Sequence, residues 1–512
     1  MSAMKNIIVG WLGMMALVVA WQPVAAQEPE TSIVPAQPAR LELPFTQYDT
    51  DVHVLAIPED SSVVMLVEKD VFIGSRTSYT FHKYDHQLKD LGTRNVEIPI
   101  EYEFKLMSAE ATAVYALFQS RYAPERLLVA GLDGRTGDVA LVKFDTEVTR
   151  DVLDQKVLAG NLFVTVLLDQ HMTVVKLDMK TGKHQLLPSV YEPLSTELTF
   201  LTDSATKRAE VIMRQSNGVK SRLQLKQLSA DGELINSEFV QTESERSLIT
   251  AQVSLGDSSD RMLAGTYTLR DPRYSQGIFS ADLTAGTTPT GVRHSLRFYD
   301  FTRLKHFFDY LKPARAARIR QRSQERRAAN RELPLRYRLL VHDLMPFQNG
   351  YVLVAEVYYP RYRSDSYGPG MVGTRYRQFD GYHTTHAIVC GFDRRGNLLW
   401  DNTFVLKDVE SYELEETVRL RPMPDGQRLV MTYLEEENIH YKIIDRSLPT
   451  PNDLVVPLQP ANPEVKEKLS STNYEGMQAW YGSRFLAFGY QYVRAHRGAG
   501  RDVFFLNTVS FD

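Results

Sequence analysis

Tyr351-Val352-Leu353-Val354-Ala355-Glu356-Val357-Tyr358, then His386-Ala387-Ile388-Val389-Cys390-Gly391-Phe392 and the turn Asp393-Arg394-Arg395-Gly396-Asn397, decide the fold of this chain. β-Branched and aromatic residues fill both runs, which favours extended backbone. Val352-Leu353-Val354-Ala355 is apolar at consecutive positions, so both faces of that strand must be covered. The run recurs at Val63–Val67, Ala113–Phe118, Leu162–Leu168, Ala209–Met213, Met262–Leu269, Arg428–Tyr433 and Phe485–Tyr490. The starts lie about 50 residues apart, the period of radially repeated β-sheet units. Longer gaps after the fifth and sixth copies mark two insertions.

The sixth unit reads as four strands: Tyr337–His342 (A), Tyr351–Tyr358 (B), His386–Phe392 (C) and Trp400–Leu406 (D). Between C and D, Asp393 supplies a side-chain acceptor and Gly396 a positive φ, the two needs of a tight reversal. Asp133-Gly134-Arg135-Thr136-Gly137, Asp178-Met179-Lys180-Thr181-Gly182, Asp231-Gly232 and Asp282-Leu283-Thr284-Ala285-Gly286 repeat the device. They lack the ladder of oxygen ligands that calcium requires, so they read as hairpin turns. Arg222-Leu223-Gln224-Leu225-Lys226-Gln227-Leu228 alternates, with leucines on one face and polar groups on the other.

The eighth unit has A near Gln478–Tyr481, B at Phe485–Tyr490 and C at Val503–Val509, but no D. Leu41-Glu42-Leu43-Pro44-Phe45-Thr46-Gln47-Tyr48 is strand-like and has no place in the first unit. Pairing it with the last C strand closes a ring and removes an exposed edge. On these repeats and turns, residues 38–512 resemble the β-propeller superfamily and, within it, exported bacterial propellers. The resemblance implies an all-β fold, a single β-propeller of four-stranded antiparallel blades closed by an N-terminal strand and carrying one helical insertion. The count is eight blades; seven follows if the short, polar A strand of the third unit, Arg150–Leu158, is not a strand.

Residues 1–26 read as a signal peptide. Lys5 starts it, Ile7–Ala20 is apolar but short for a membrane span, and Val24 and Ala26 are small where a peptidase cuts. Residues 27–37 read as a linker, and the expected location is the periplasm or cell exterior. The net charge of −4 becomes −5 when Lys5 leaves with a leader that holds no acid. A net acidic chain without a sustained basic stripe excludes nucleic acid as the expected partner. The single cysteine, Cys390, cannot form an internal disulfide, and its apolar neighbours read as those of a buried thiol, not of a nucleophile.

The first insertion, residues 301–332, reads as helical, because Ala, Arg and Gln dominate and Gly is absent. Phe301, Leu304, Phe307, Phe308 and Leu311 give a docked apolar helix. Beyond Pro313 come Arg315, Arg318, Arg320, Arg322, Arg326, Arg327 and Arg331 against Glu325 alone, with no apolar stripe, so a protruding basic helix is expected. Of these, Arg315, Arg318, Arg322 and Arg326 are the candidates to meet a protein partner. The second insertion, residues 360–385, reads as a loop rich in Tyr and Arg: Arg361-Tyr362-Arg363, Arg375-Tyr376-Arg377 and Tyr382-His383. In a four-stranded meander the B–C loops and D–A connections emerge on one side, so the two insertions are neighbours. Arg273-Tyr274, Arg494 and Arg497 in other B–C loops extend a basic, aromatic crescent across that face.

Guanidinium groups fork onto carboxylate or sulfate, and phenol rings offer stacking area with a polar tip. The expected function is therefore non-catalytic: a binding or scaffold propeller that holds an acidic polysaccharide or another envelope protein, with no cofactor. The alternative is a polysaccharide lyase acting on uronate polymers. There Arg361, Arg375 or Arg377 would neutralise the carboxylate, with Tyr376, Tyr382 or His383 as the base. Solvated Arg/Tyr pairs that merely stiffen their own loops are the plainer reading of the same residues. His383 and His386 form His-x-x-His, but residues three apart on a regular strand point to opposite faces, so no metal site is expected. Repeated blade tryptophans with an adjacent cysteine pair, sialidase-type turns and a separate hydrolase domain are all missing. The propeller enzymes that carry them are therefore not the expected reading.

Overall fold

A computed structural model describes residues 33–73, 76–147, 151–168, 171–191, 195–217, 220–241, 245–256, 261–284, 287–288, 291–292, 295–364, 377–446, 448–452, 454–461, 467–495 and 500–512. The segment read as a signal peptide lies outside them. Residues 35–512 form one compact unit, an eight-bladed β-propeller of four-stranded antiparallel sheets. All eight runs that set the period are second (B) strands. Blade 3 is complete, with strands Asp151–Leu158, Asn161–Leu168, His171–Asp178 and His184–Leu186, so the count is eight.

Blade 6 shows why the B strand is apolar on both faces. Leu353, Ala355 and Val357 join a core cluster with blade 5, while Val352 and Val354 join another with blade 7. The alternating C strand of blade 4, Ser221–Ser229, is buried on its polar face as well. There Gln224 accepts a hydrogen bond from Gln215 at 2.6 Å, and the Lys226 ammonium donates to the Ser189 carbonyl. The C–D turns are held as expected: Asp133, Asp178 and Asp393 each accept backbone N–H bonds from their own turn.

The ring closes through Arg40–Leu43, antiparallel to Arg501–Ser510, with Arg40 opposite Asn507 and Leu43 opposite Phe504. Ala36 pairs with Ser510, and the Gln37 side chain bonds the Pro457 carbonyl at 2.9 Å. The ring therefore starts two residues before 38, within the expected linker. First strands of blades 1 to 6 adjoin in order, as do those of blades 7, 8 and 1, so these strands line the axis. Among the described residues no helix is long and apolar enough to cross a membrane.

Both insertions differ from expectation. Phe301–Leu311 is not a helix but a 3-10 turn, Phe301–Arg303, and a chain of isolated turns. The cause is Asp401 of blade 6, whose carboxylate takes the Lys305 and His306 N–H groups at 3.0 and 2.7 Å, donors a helix would have spent on its own carbonyls. Its aromatics are nonetheless buried: Phe301, Phe307 and Phe308 plug the seam between blades 5 and 6.

The helix α1, Pro313–Ala328, starts with Pro at its first turn, where no N–H is needed, and ends at Asn330 with φ 55°. It does not protrude freely. Ala316 and Ser323 are buried and Ile319 packs on the core beneath. Arg320 donates to the Lys305 carbonyl at 2.7 Å, and Arg327 meets Asp300 at 3.1 Å.

The second insertion is a sheet extension and not a loop over its described part. The B strand runs Gly350–Ser364, the C strand Arg377–Asp393 and the D strand Leu398–Ser411, so three strands rise together beyond their neighbours. Residues 365–376, which include Arg375 and Tyr376, lie outside the described residues.

Candidate binding face and central channel

Aromatic rings line the rib that blade 6 raises. Phe379 contacts Tyr382 at 5.0 Å between centroids, Tyr362 at 6.0 Å and Tyr412 at 6.3 Å, and Tyr382 meets Tyr358 at 5.6 Å. A bulge makes this possible: Pro360 faces Tyr382 and Tyr362 faces Phe379, with Gly381 at φ 99° where an added Cβ would lie 2.4 Å from the Ser411 carbonyl. Tyr362, Phe379 and Tyr412 keep 54%, 37% and 76% of their surface in solvent, enough to stack on a planar or ring-shaped ligand.

The arginines divide by duty. Arg361 is held by Glu410 and, at 3.5 Å, by Asp380, so it is not the spare cation the lyase reading wants. Arg273 is bound by Asp271 at 2.8 Å, and its guanidinium lies 5.8 Å from the Tyr274 ring, which Arg338 approaches from 5.4 Å. That pair stiffens its own loop. Arg363 and Arg494 are exposed, the latter opposite Lys468. Arg377 begins the C strand, and Arg497 lies outside the described residues.

On α1, Arg315, Arg318, Arg322 and Arg326 are exposed and have no ion-pair partner among the described residues. Their spacing of 3, 4 and 4 sets them in one stripe about 16 Å long, roughly a quarter turn from the docked edge. Arg320 and Arg327 point the other way, into the anchor. The rib and the helix are neighbours, as the meander requires. Tyr359, at the foot of the rib, packs on the same core as Ile319 and feels the Arg315 charge.

Beneath them the structure gathers a set the sequence reading missed. Tyr310 and Tyr337 share a hydrogen bond at 3.0 Å, and His386 stacks on Tyr310 at 4.0 Å. An extra residue, Thr385, bulges between Thr384 and His386 and corrects the strand argument for His-x-x-His. His383 faces Tyr359 and His386 faces Val357, and those two share the blade 5 side, so both histidines lie on one face. They serve no common site: His386 is fully buried against Phe307 and Tyr310. Burial pushes its pKa down to about 3 and pushes Tyr359 up to about 12, with Tyr310 and Tyr337 also raised by burial. None of these groups suits proton transfer near neutrality. Cys390 is fully buried, and burial lifts its thiol well above the ordinary value.

The axis holds a second constellation. His342 Nε2 meets Glu356 Oε1 at 2.9 Å, the same oxygen accepts from the Val418 N–H at 2.8 Å, and Arg419 meets Glu416 at 2.6 Å. A cavity of about 270 Å³ lies between Leu153, Asp154 and Lys156 of blade 3, Leu198–Leu201 of blade 4 and Asp343 of blade 6.

Fold and face define a β-propeller with an elaborated sixth blade. No protein-family model and no curated protein matches the chain. Solved structures do, distantly. The polysaccharide lyase Uly1 aligns at 10% identity and a TM-score of 0.40, over 79% of this chain and 89% of that one. A prolyl endopeptidase aligns at 9% and 0.40, over 86% of this chain; the chain spans 55% of that enzyme's length. A putative 6-phosphogluconolactonase from Bacteroides fragilis aligns at 10% and 0.36, over 78% and 96%.

Proposed function

We propose that this protein is an exported, non-catalytic binding propeller that holds an acidic polysaccharide on the face where α1 and the blade 6 rib meet. The observation that carries the reading is the stripe of Arg315, Arg318, Arg322 and Arg326, unpaired among the described residues, whereas Arg273 and Arg361 on the same face are held by the protein's own acids. A line of guanidinium groups suits a polymer with carboxylate or sulfate on successive sugars, and Tyr362, Phe379 and Tyr412 supply stacking area beside it. Lyase chemistry is the weaker reading: Arg361 is neutralised, and the buried tyrosines at the foot of the rib have raised pKa values. Export rests on the signal-like residues 1–26, and sequencing the N-terminus of the protein recovered from the expressing cell's envelope and medium tests it.

The test of binding is retention on a panel of polyuronate and sulfated polysaccharides, with absorbance of unsaturated product followed in the same tubes. Retention that weakens with salt and collapses when the four arginines become Gln supports the reading. Product that appears with any polymer would put the lyase first. Retention on none, with capture of an envelope protein through α1, would replace the glycan by a protein partner.

A further inference from the structure

We propose a second site, in the central channel, for a small organic cation: an ammonium group borne on a compact apolar body, seated between blades 3, 4 and 6 with its charge on Asp343. The cavity of about 270 Å³ holds the volume of about nine waters, so the ligand is small. Its walls are mixed. Leu153, Met172, Leu198 and Phe200 give the apolar side, and Thr165 and Thr199 give hydroxyls. Leu153, which lines the cavity, is 44% exposed, apolar surface open to whatever enters.

Charge decides the sign of the ligand. Every other ionic group around the cavity has a protein partner: Lys156 lies 3.8 Å from Asp154, Glu416 is taken by Arg419 at 2.6 Å, and His342 by Glu356 at 2.9 Å. Asp343 alone has neither hydrogen bond nor ion pair among the described residues. Its side chain is open to channel water, and desolvation by the surrounding channel walls raises its pKa, with Lys156 the main opposing charge. A carboxylate kept in such a place gains most from a cation that arrives with its own apolar surface to cover Leu153 and Leu198.

The experiment is calorimetric titration of the whole protein with phenethylammonium, phenethyl alcohol and phenylacetate, three probes of one shape and three charges. The ammonium is expected to bind, the alcohol at least tenfold more weakly, and the anion not at all. Asp343→Asn should weaken the ammonium at least tenfold, and Leu153→Trp, which fills the cavity from an exposed position, should abolish binding. Circular dichroism of both variants establishes that they fold. Equal binding of alcohol and ammonium, an unchanged affinity in Asp343→Asn, or no heat with any probe would overturn the proposal. Polysaccharide retention through α1 is unaffected in every one of these outcomes, so this site and the outer face stand or fall separately.

Discussion

Replacing His386 by Phe makes a sharp test of how blade 6 is packed. The imidazole is fully buried, stacked on Tyr310 at 4.0 Å, with Nδ1 on the Thr385 hydroxyl at 2.9 Å and Nε2 without a partner. Burial lowers its pKa from 6.5 to about 3, so below pH 6.5 the unfolded chain takes up a proton that the folded one refuses. Stability contributed by neutral His386 is therefore full above 6.5 and lost as pH falls toward 3. Between pH 6.5 and 5 the loss is 1.5 pH units at about 1.4 kcal/mol each, about 2 kcal/mol. Phe cannot titrate, so His386→Phe should keep that increment. At pH 7.5 removal of the orphan nitrogen gains about 1 kcal/mol, while the strain of a larger ring and the lost Thr385 hydrogen bond cost about 1 kcal/mol each, so the variant should start about 1 kcal/mol less stable. Urea unfolding at pH 7.5 and 5 measures both free energies. The burial-lowered His53 and His82 titrate identically in both proteins and drop out of the difference. If wild type and variant lose the same stability on acidification, the buried neutral histidine is refuted.

Three further outcomes are expected. Glu42→Gln, which removes the anion between Arg40 at 2.9 Å and Arg501 at 2.6 Å, should cost about 1–2 kcal/mol, since Arg501 is half exposed. Burial works to raise the Glu42 pKa, but hydrogen bonds from Arg501 and Arg40 win and hold it below 4.5, so variant and wild type should converge as acid carries the pH through that lowered value. Gly391→Ala puts a Cβ 2.1 Å from Trp400 Cε2 and should lose about 2–3 kcal/mol in urea, with part regained in Trp400→Leu. Cys390 should resist a thiol reagent in the native protein and react at the rate of unfolding, read by absorbance of the released chromophore.

The ring was legible because its signal is redundant. Val352-Leu353-Val354-Ala355 has to be covered on two sides, and eight such runs with Asp/Gly turns leave few other architectures. What escaped depends on contacts between distant residues. Phe301–Leu311 has helical spacing, yet an Asp 95 residues further on takes the His306 N–H. The arginines of α1 look alike in sequence, and only the docked position of Ala316 and Ser323 separates anchors from stripe. The rib strands Gly350–Ser364 and Arg377–Asp393 contain turn-forming composition, and pairing with one another overrides it. Asp343 carried no motif at all, because its surroundings come from three blades.

The closing strand also sets an order of events. Glu42 meets Arg501, 459 residues away in the chain, so the first strand of the ring cannot find its place until the last strand of the ring exists. At about 5–20 residues per second a ribosome needs roughly half a minute to a minute and a half to cover that interval. Throughout it, blade 1 has no blade 8 to cover its flank, and Leu41 and Leu43 wait without the surface they pack on. Closure of the ring is therefore a single late event, in which its first strand and its last recognise one another.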